Sequence, residues 1–303
     1  MSDDAQTVVD VNENTPTTDI HKFTYSNGCR QLINDSVIAE QPLQITLLWE
    51  DNSASNSNVL NSKVFSITMR TPGDDEALII GLLQSEGIIR QHSDIHSIQL
   101  DAEQDPPFNS WEVRIAQGVE ILIASLERFQ VTYSSCGLCG TTSLKSLELR
   151  NPPTLSRHPR WLSPDVITGL TTTMRDNQTL FRQTGSAHAA ALFDEQGQLV
   201  NIEEDIGRHN AVDKLTGNHF KSSHKDLLLS CLVVSGRVSF EIVQKSVMAG
   251  IPVLIAVGAP SDLAILAAKR FDLTLIGFAN QTSFNLYHGE WRLHSLEDTC
   301  QKI

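Results

Sequence analysis

The sequence predicts an α/β protein: a mixed sheet with βαβ crossovers in the C-terminal half, joined to a smaller N-terminal α+β subdomain. Three observations lead there. Residues 227–234 form a continuous apolar run, as in strands buried on both faces. That run opens a series in which strands alternate with helices of roughly ten residues, the mark of βαβ units. Ahead of it Asn151-Pro152-Pro153 breaks the chain and separates a half built from shorter, less regular runs.

Taken in order, residues 1–20 are acidic and polar and are expected to be a disordered tail. Short apolar runs from Phe23 to Trp49 predict strands, most clearly at 42–49. The Asn/Ser-rich stretch 51–62 reads as a loop, and 64–69 alternates like a strand. Pro72-Gly73 is followed by Asp74 and Asp75, which suit the start of a helix over 76–86. Further strands are expected at 111–115 and 120–124. The connection 151–164 holds four prolines and leads to a helix near 165–176. Glu195-Gln196-Gly197 between 188–194 and 198–203 predicts a β-hairpin. Strands at 227–234, 252–257 and 273–278 then alternate with helices at 239–249 and 261–271. The expected division is a tail at 1–20, an α+β subdomain at 21–150 and an α/β domain at 151–303.

With 303 residues, 40% of them hydrophobic and 19% charged, the chain reads as globular. A net charge of −13 argues against a broad nucleic-acid footprint, while leaving room for one local basic pocket. The N-terminus lacks the basic start and apolar run of a signal peptide, and no apolar stretch is long enough to span a membrane. A cytoplasmic location is the expectation. The five cysteines, Cys29, Cys136, Cys139, Cys231 and Cys300, are too scattered for a secreted disulfide framework. Cys231 sits inside an apolar run and is expected to be a core residue.

Four constellations can carry chemistry. Cys136 and Cys139 form a Cys-x-x-Cys pair between glycines, followed at 141–149 by a helix whose N-terminus would favour a thiolate. Covalent sulfur chemistry, redox chemistry, half of a zinc site and ordinary buried thiols all remain open for it. Zinc would need distant His188 or His209, because no second ligand pair is present. The small-residue segment Thr184-Gly185-Ser186-Ala187-His188 suits close approach to the backbone, though a histidine ahead of an apolar strand is commonly a packed core residue. The cluster Glu203-Glu204-Asp205-Ile206-Gly207-Arg208-His209-Asn210 reads either as a solvated helix start or as a site. In a site, Arg208 suits a phosphate and His209 suits proton exchange near neutral pH. Ser235-Gly236-Arg237 places a glycine and a guanidinium at a strand's carboxyl end, a good anion site.

In series, these segments resemble the FdhD family of formate dehydrogenase accessory sulfurtransferases. The resemblance runs from Met69-Arg70-Thr71-Pro72-Gly73-Asp74-Asp75-Glu76 and Ser85-Glu86-Gly87 through Ser134-Ser135-Cys136-Gly137-Leu138-Cys139-Gly140. It continues through His188, the 204–215 segment, Val234-Ser235-Gly236-Arg237, Phe240-Glu241 and Ala249-Gly250-Ile251-Pro252-Val253 to Gly277-Phe278. It implies a cytidine-deaminase-like main domain and a sulfur carrier required for formate dehydrogenase activity. Such a carrier takes sulfur from a cysteine desulfurase as a persulfide and passes it to the molybdenum cofactor, bis-molybdopterin guanine dinucleotide. By position Cys136 would bear the persulfide, with Cys139 as its helper. Phe278, Ala279, Asn280, Gln281, Thr282 and Ser283 match the family's guanine-dinucleotide contact loop, with Arg237, His188, Arg208 and His209 nearby. A homodimer is implied as well. Deaminase activity does not follow, because that motif needs His-x-Glu followed by Cys-x-x-Cys, whereas His188 is followed by Ala189 and Ala190 and the Cys136/Cys139 pair comes earlier.

Two positions depart from the family pattern. Relatives commonly have Thr-Gly-Gly at Thr184-Gly185-Ser186, and many carry an arginine in the loop after Phe278, which is uncharged here. Phosphate neutralisation is then expected from Arg237, Arg208 or Lys245. The alternative reading is a cofactor-binding chaperone with structural cysteines.

Overall fold

The computed structural model describes residues 14–50, 60–103, 106–119, 144–145, 147–148, 150–222 and 227–294. The Cys136/Cys139 segment, the strand expected at 120–124, residues 1–13 of the expected tail and Cys300 lie outside the described residues.

β1 (Thr17–Ser26) and β2 (Cys29–Ile38) form an antiparallel hairpin. Asn27 and Gly28 both have positive φ, the requirement of a two-residue turn that follows strand twist. The hairpin starts at Thr17, so the end of the 1–20 stretch is strand rather than tail: β-branched Thr17 and Thr18 pair with Ile38 and Val37. β3 (Gln41–Glu50), β4 (Leu60–Arg70), β5 (Ile95–Leu100) and β6 (Ser110–Ile115) make a second sheet in the order β4-β3-β6-β5. Its inner face, Leu43, Ile45, Leu47, Phe65 and Val113, packs on α1 (Asp75–Ser85). Asp74 does not cap that helix through its side chain; its backbone is left-handed, and Asp75 turns instead to Arg70.

The C-terminal half opens with α2 (Pro164–Asn177), whose Ser163 cap accepts from Asp165 N at 3.3 Å, and α3 (Thr179–Thr184). β7 (His188–Phe193) and β8 (Leu199–Asp205) form the expected hairpin, its turn held by Asp194 Oδ1 accepting from Gln196 N and Gln198 N at 3.0 and 2.8 Å. Then come α4 (Arg208–Lys221), β9 (Cys231–Val234), α5 (Phe240–Met248), β10 (Val253–Ala256), α6 (Asp262–Arg270), β11 (Thr274–Gly277) and β12 (Asn285–His288). The six-stranded sheet runs β12-β11-β10-β9-β7-β8, with β9, β10 and β11 parallel and the others antiparallel to their neighbours. It is mixed, as expected.

Both faces of this sheet are covered, which is why its central strands read as unbroken apolar runs. Leu232, Val234, Leu254 and Leu275 meet α4, α5 and α6 on one side. Val233, Val253, Ile255 and Ile276 meet Ile167, Leu170 and Met174 of α2 on the other. Cys231 lies fully buried in that second layer, and burial pushes its thiol well above the usual range, leaving it unreactive packing. No helix among the described residues is long and apolar enough to cross a membrane.

The two sheets are joined through α1 and α4. α1 buries apolar residues around most of its circumference and so needs cover on more than one side, and α4 supplies what the first sheet cannot. The two backbones come very close. A Cβ on Gly217 would lie 1.9 Å from the carbonyl oxygen of Ala77, and one on Gly81 would lie 1.9 Å from that of Asp213. Only glycine fits at either position.

Beside the crossing lies a buried polar lock. Asp205, with no exposure, accepts from Thr71 N at 3.1 Å, Gly207 N at 2.8 Å, Asn210 Nδ2 at 3.1 Å and Lys214 Nζ at 2.9 Å. Lys214 Nζ also donates to Thr71 O at 2.8 Å, and Asn210 Nδ2 to Met69 O at 2.7 Å. Arg70, equally buried, meets Asp75 through two bonds of 2.8 and 3.0 Å. A short step away Lys245 Nζ meets both Asp213 oxygens at 2.7 Å and Ser85 Oγ at 3.2 Å.

Replacing one member of a buried pair strands its partner's charge. Asp205→Asn is expected to destabilise the fold by about 4 kcal/mol in denaturant unfolding, and Asp205→Asn with Lys214→Met to recover part of that loss. Gly217→Ala is expected to cost about 3 kcal/mol by forcing the helices apart, read as a lowered unfolding midpoint at unchanged slope.

Candidate functional site

The carboxyl ends of β9, β10 and β11 lie side by side and their loops form one ledge. Gly258 N donates to Gly236 O at 3.2 Å, Phe278 N to Gly258 O at 3.2 Å, and Val238 N to Ala259 O at 3.1 Å. A Cβ on Gly258 would fall 2.9 Å from Gly236 O and 3.0 Å from the Arg237 backbone, so the ledge closes only around glycine. The loops that follow the three expected strands are therefore one surface.

The loop after β11 begins with strain. Phe278 has φ 55, a left-handed conformation that non-glycine residues rarely adopt, and its ring stays exposed. Asn280 then organises the rest. Its Oδ1 accepts from Thr282 N and Thr282 Oγ1 at 3.0 Å each and from Ser283 N at 3.1 Å. Its Nδ2 donates to Phe278 O at 3.2 Å and to Ser283 Oγ at 3.0 Å. An arginine has no acceptor and could not make the first set. The loop is uncharged and is held in shape by these bonds.

Facing this loop is a pocket of about 800 Å³. Ala279, Asn280, Gln281 and Thr282 form one wall, and Gly185, Ser186, Ala187, His188 and Ser235 form the floor. The opposite wall comes from the end of α2 and from α3: Thr171, Thr172, Met174, Arg175, Asp176, Gln178 and Phe181. Glu204 of β8 fixes α3 by accepting from Leu180 N at 2.8 Å and Phe181 N at 2.9 Å. Gly185 ends α3 at φ 74 and carries the left-handed turn, so Ser186 does not have to and its Cβ is accommodated.

Behind the floor lies a histidine and arginine cluster. Gly236 leaves room for it: a Cβ there would lie 3.5 Å from His188 Nδ1 and 3.6 Å from Arg208 Cδ. Burial, and then the Arg208 charge, pull His188 below the ordinary imidazole range, with Asp205 opposing. His209 Nε2 lies 3.2 Å from Ser239 Oγ. Burial first, then the charges of Lys245 and Arg208, lower His209 to about 4. It is a neutral hydrogen-bonding group at pH 7, not the near-neutral proton exchanger its unperturbed value suggests. Arg208 Nε is buried and finds no hydrogen-bond acceptor among the described residues.

Of the residues marked from sequence, His188, Ala279, Asn280, Gln281 and Thr282 line the pocket. Phe278 and Ser283 brace the loop, Arg208 and His209 stand behind His188, and Arg237 is exposed on the ledge beside the pocket. Lys245 is not available as a phosphate partner, because Asp213 and Ser85 take its donors. Cys136 and Cys139 lie outside the described residues. The α2–α3 wall was not marked at all. Thr171-Thr172-Thr173 inside an amphipathic helix was the only hint, since a polar run there needs something other than core to face.

A base with a lowered folded pKa resists protonation more in the folded state than in the unfolded one. For His209 the window runs from about 6.5 down to about 4, and stability falls as pH falls through it. The full effect is about 3 kcal/mol. The expected observations are a His209 imidazole NMR titration with its midpoint near 4 and a flattened acid limb of the stability profile in His209→Gln.

With the pocket in view, the comparisons with known proteins are specific. The FdhD/NarQ family model matches residues 55–294. A Streptomyces avermitilis protein named sulfur carrier protein FdhD is 45% identical over 264 residues, 86% of this chain and 89% of that one. A protein of the same name from Sulfurisphaera tokodaii is 36% identical over 265 residues, 88% of this chain and 94% of its own length. A solved chain from Desulfotalea psychrophila, assigned as a candidate formate dehydrogenase accessory protein, superposes with a TM-score of 0.67 at 22% identity. That match covers 91% of this chain and 99% of the other, and it confirms the fold. The chain belongs to the FdhD/NarQ family.

Proposed function

We propose that this protein is a sulfur carrier serving formate dehydrogenase, and that its pocket receives the guanine-dinucleotide end of the molybdenum cofactor. The carrying observation is the pocket itself. It lies beyond the carboxyl ends of parallel strands, where such sheets take ligands, and it is walled by the loop 279–282 together with His188. Its volume suits a nucleotide-sized group. The unsatisfied Arg208 Nε and the exposed Arg237 flank it, and both are ready for an anion. The names of its relatives favour the carrier reading.

In this reading a cysteine desulfurase presents a persulfide. The Cys136 thiolate attacks the outer sulfur, the donor's S–S bond breaks, and the donor leaves as a thiolate while Cys136 becomes the persulfide. Cys139 assists the onward step to bis-molybdopterin guanine dinucleotide, which is the substrate rather than a resident group. The chain's own pocket residues bind and orient. Asn280 keeps the loop shaped, neutral His188 offers a hydrogen bond without charge, and neutral His209 stands behind it against Ser239. We further read the main sheet as cytidine-deaminase-like, the protein as a homodimer and its compartment as the cytoplasm.

Incubation with a desulfurase and cysteine should add one sulfur to the chain by mass spectrometry, lost in Cys136→Ala and retained in Cys231→Ala. Label persisting in Cys136→Ala would sink the assignment. A Cys136→Ala variant that still activated formate dehydrogenase in cells would instead favour a binding chaperone.

A further inference from the structure

The pocket's charged groups are concentrated on one wall. Arg175 and Asp176, both exposed at the end of α2, line it. Neither side chain has an ion pair or hydrogen bond among the described residues; their carbonyls alone are engaged, Arg175 O by Gln178 N at 3.3 Å and Asp176 O by Arg182 Nη1 at 2.8 Å. Lys214 and Lys245 are committed to Asp205 and Asp213, and Arg208 and Arg237 flank the pocket without lining it, so Arg175 is the cation on its wall. The facing wall of Ala279, Asn280, Gln281 and Thr282 is uncharged, and Asn280 and Thr282 spend their polar atoms on each other. An arginine alone in the last turn of a helix would be explained by the helix dipole. An unpaired carboxylate beside it would not, since it opposes that dipole and weakens a plain phosphate site.

We propose that Arg175 and Asp176 together read a guanine nucleotide: Asp176 accepts the paired N1–H and N2–H donors of the base, and Arg175 takes a phosphate. A carboxylate is acceptor-only, and guanine presents two adjacent donors where adenine offers an acceptor at N1. A guanidinium matches phosphate oxygens. Phe181, half-buried in the same wall, gives the base a face to stack on. One cation and one anion, both free, fit a ligand with a donor edge and a phosphate better than they fit a bare anion. This assignment rests on the guanine-dinucleotide reading of the pocket and says which residues confer it.

The test is calorimetric titration of the full chain with GDP, IDP and ADP, with thermal unfolding of each variant alongside. Wild type should bind GDP at least about tenfold tighter than ADP, with IDP, which lacks the 2-amino group, between them. Asp176→Asn should bring GDP and ADP to within about threefold of each other. Arg175→Ala should weaken both by about tenfold at unchanged melting temperature, with Arg175→Lys partly restoring them. Wild-type GDP binding with unaltered affinity and preference in both variants would overturn this inference and leave the pocket reading standing. An Arg175→Ala variant that lost melting temperature but kept affinity would also overturn it, by assigning the arginine to the helix end. Absence of GDP binding, or equal binding of GDP and ADP, by wild type would overturn the guanine reading itself.

Discussion

One buried carboxylate holds the architecture together. Asp205 ends β8, and four donors converge on it from Thr71, Gly207, Asn210 and Lys214. Those partners belong to both halves of the chain, so a single side chain ties the exit of β4 to the entry of α4. The groups behind the pocket floor inherit their position from that knot. Gly207, Arg208 and His209 follow directly, and the placing of His188 beside Arg208 depends on α4 starting where it does. An ionised group with no exposure persists only when its lone pairs are filled, and here they are.

Much of the fold was legible. The runs that became β3, β7, β9, β10 and β11 are apolar because neighbours cover them, and the helices between them carry apolar stripes at the expected spacing. The charged segment 203–214 was legible only as important. Whether such a cluster faces water, a ligand or a partner segment depends on contacts more than a hundred residues away, and no local pattern encodes them. Lys245 shows the limit plainly. It looks like a phosphate partner in sequence and is a buried counter-ion in space.

The pocket was half legible for a similar reason. The floor and the 278–283 loop announce themselves through glycines, small residues and a strand end. The α2–α3 wall consists of ordinary helix, placed there by Glu204 gripping the start of α3 and by α2 crossing beneath the sheet. In the loop after β11 the hydrogen bonds of Asn280 preform a shape, so less ordering is needed when a ligand arrives.

The α1–α4 crossing has a consequence for how the protein is made. Once synthesised, α1 can pack its inner side on the first sheet, but its outer side must wait for α4. In the polar lock beside this junction Thr71 and Asp205 are 134 residues apart in the chain. At ordinary rates of translation that gap lasts on the order of ten seconds. During that interval the apolar outer side of α1 is without its cover, and Gly81 leaves the backbone open to close approach there. The arrival of α4 therefore also ends the growing chain's most hazardous exposure to misassociation.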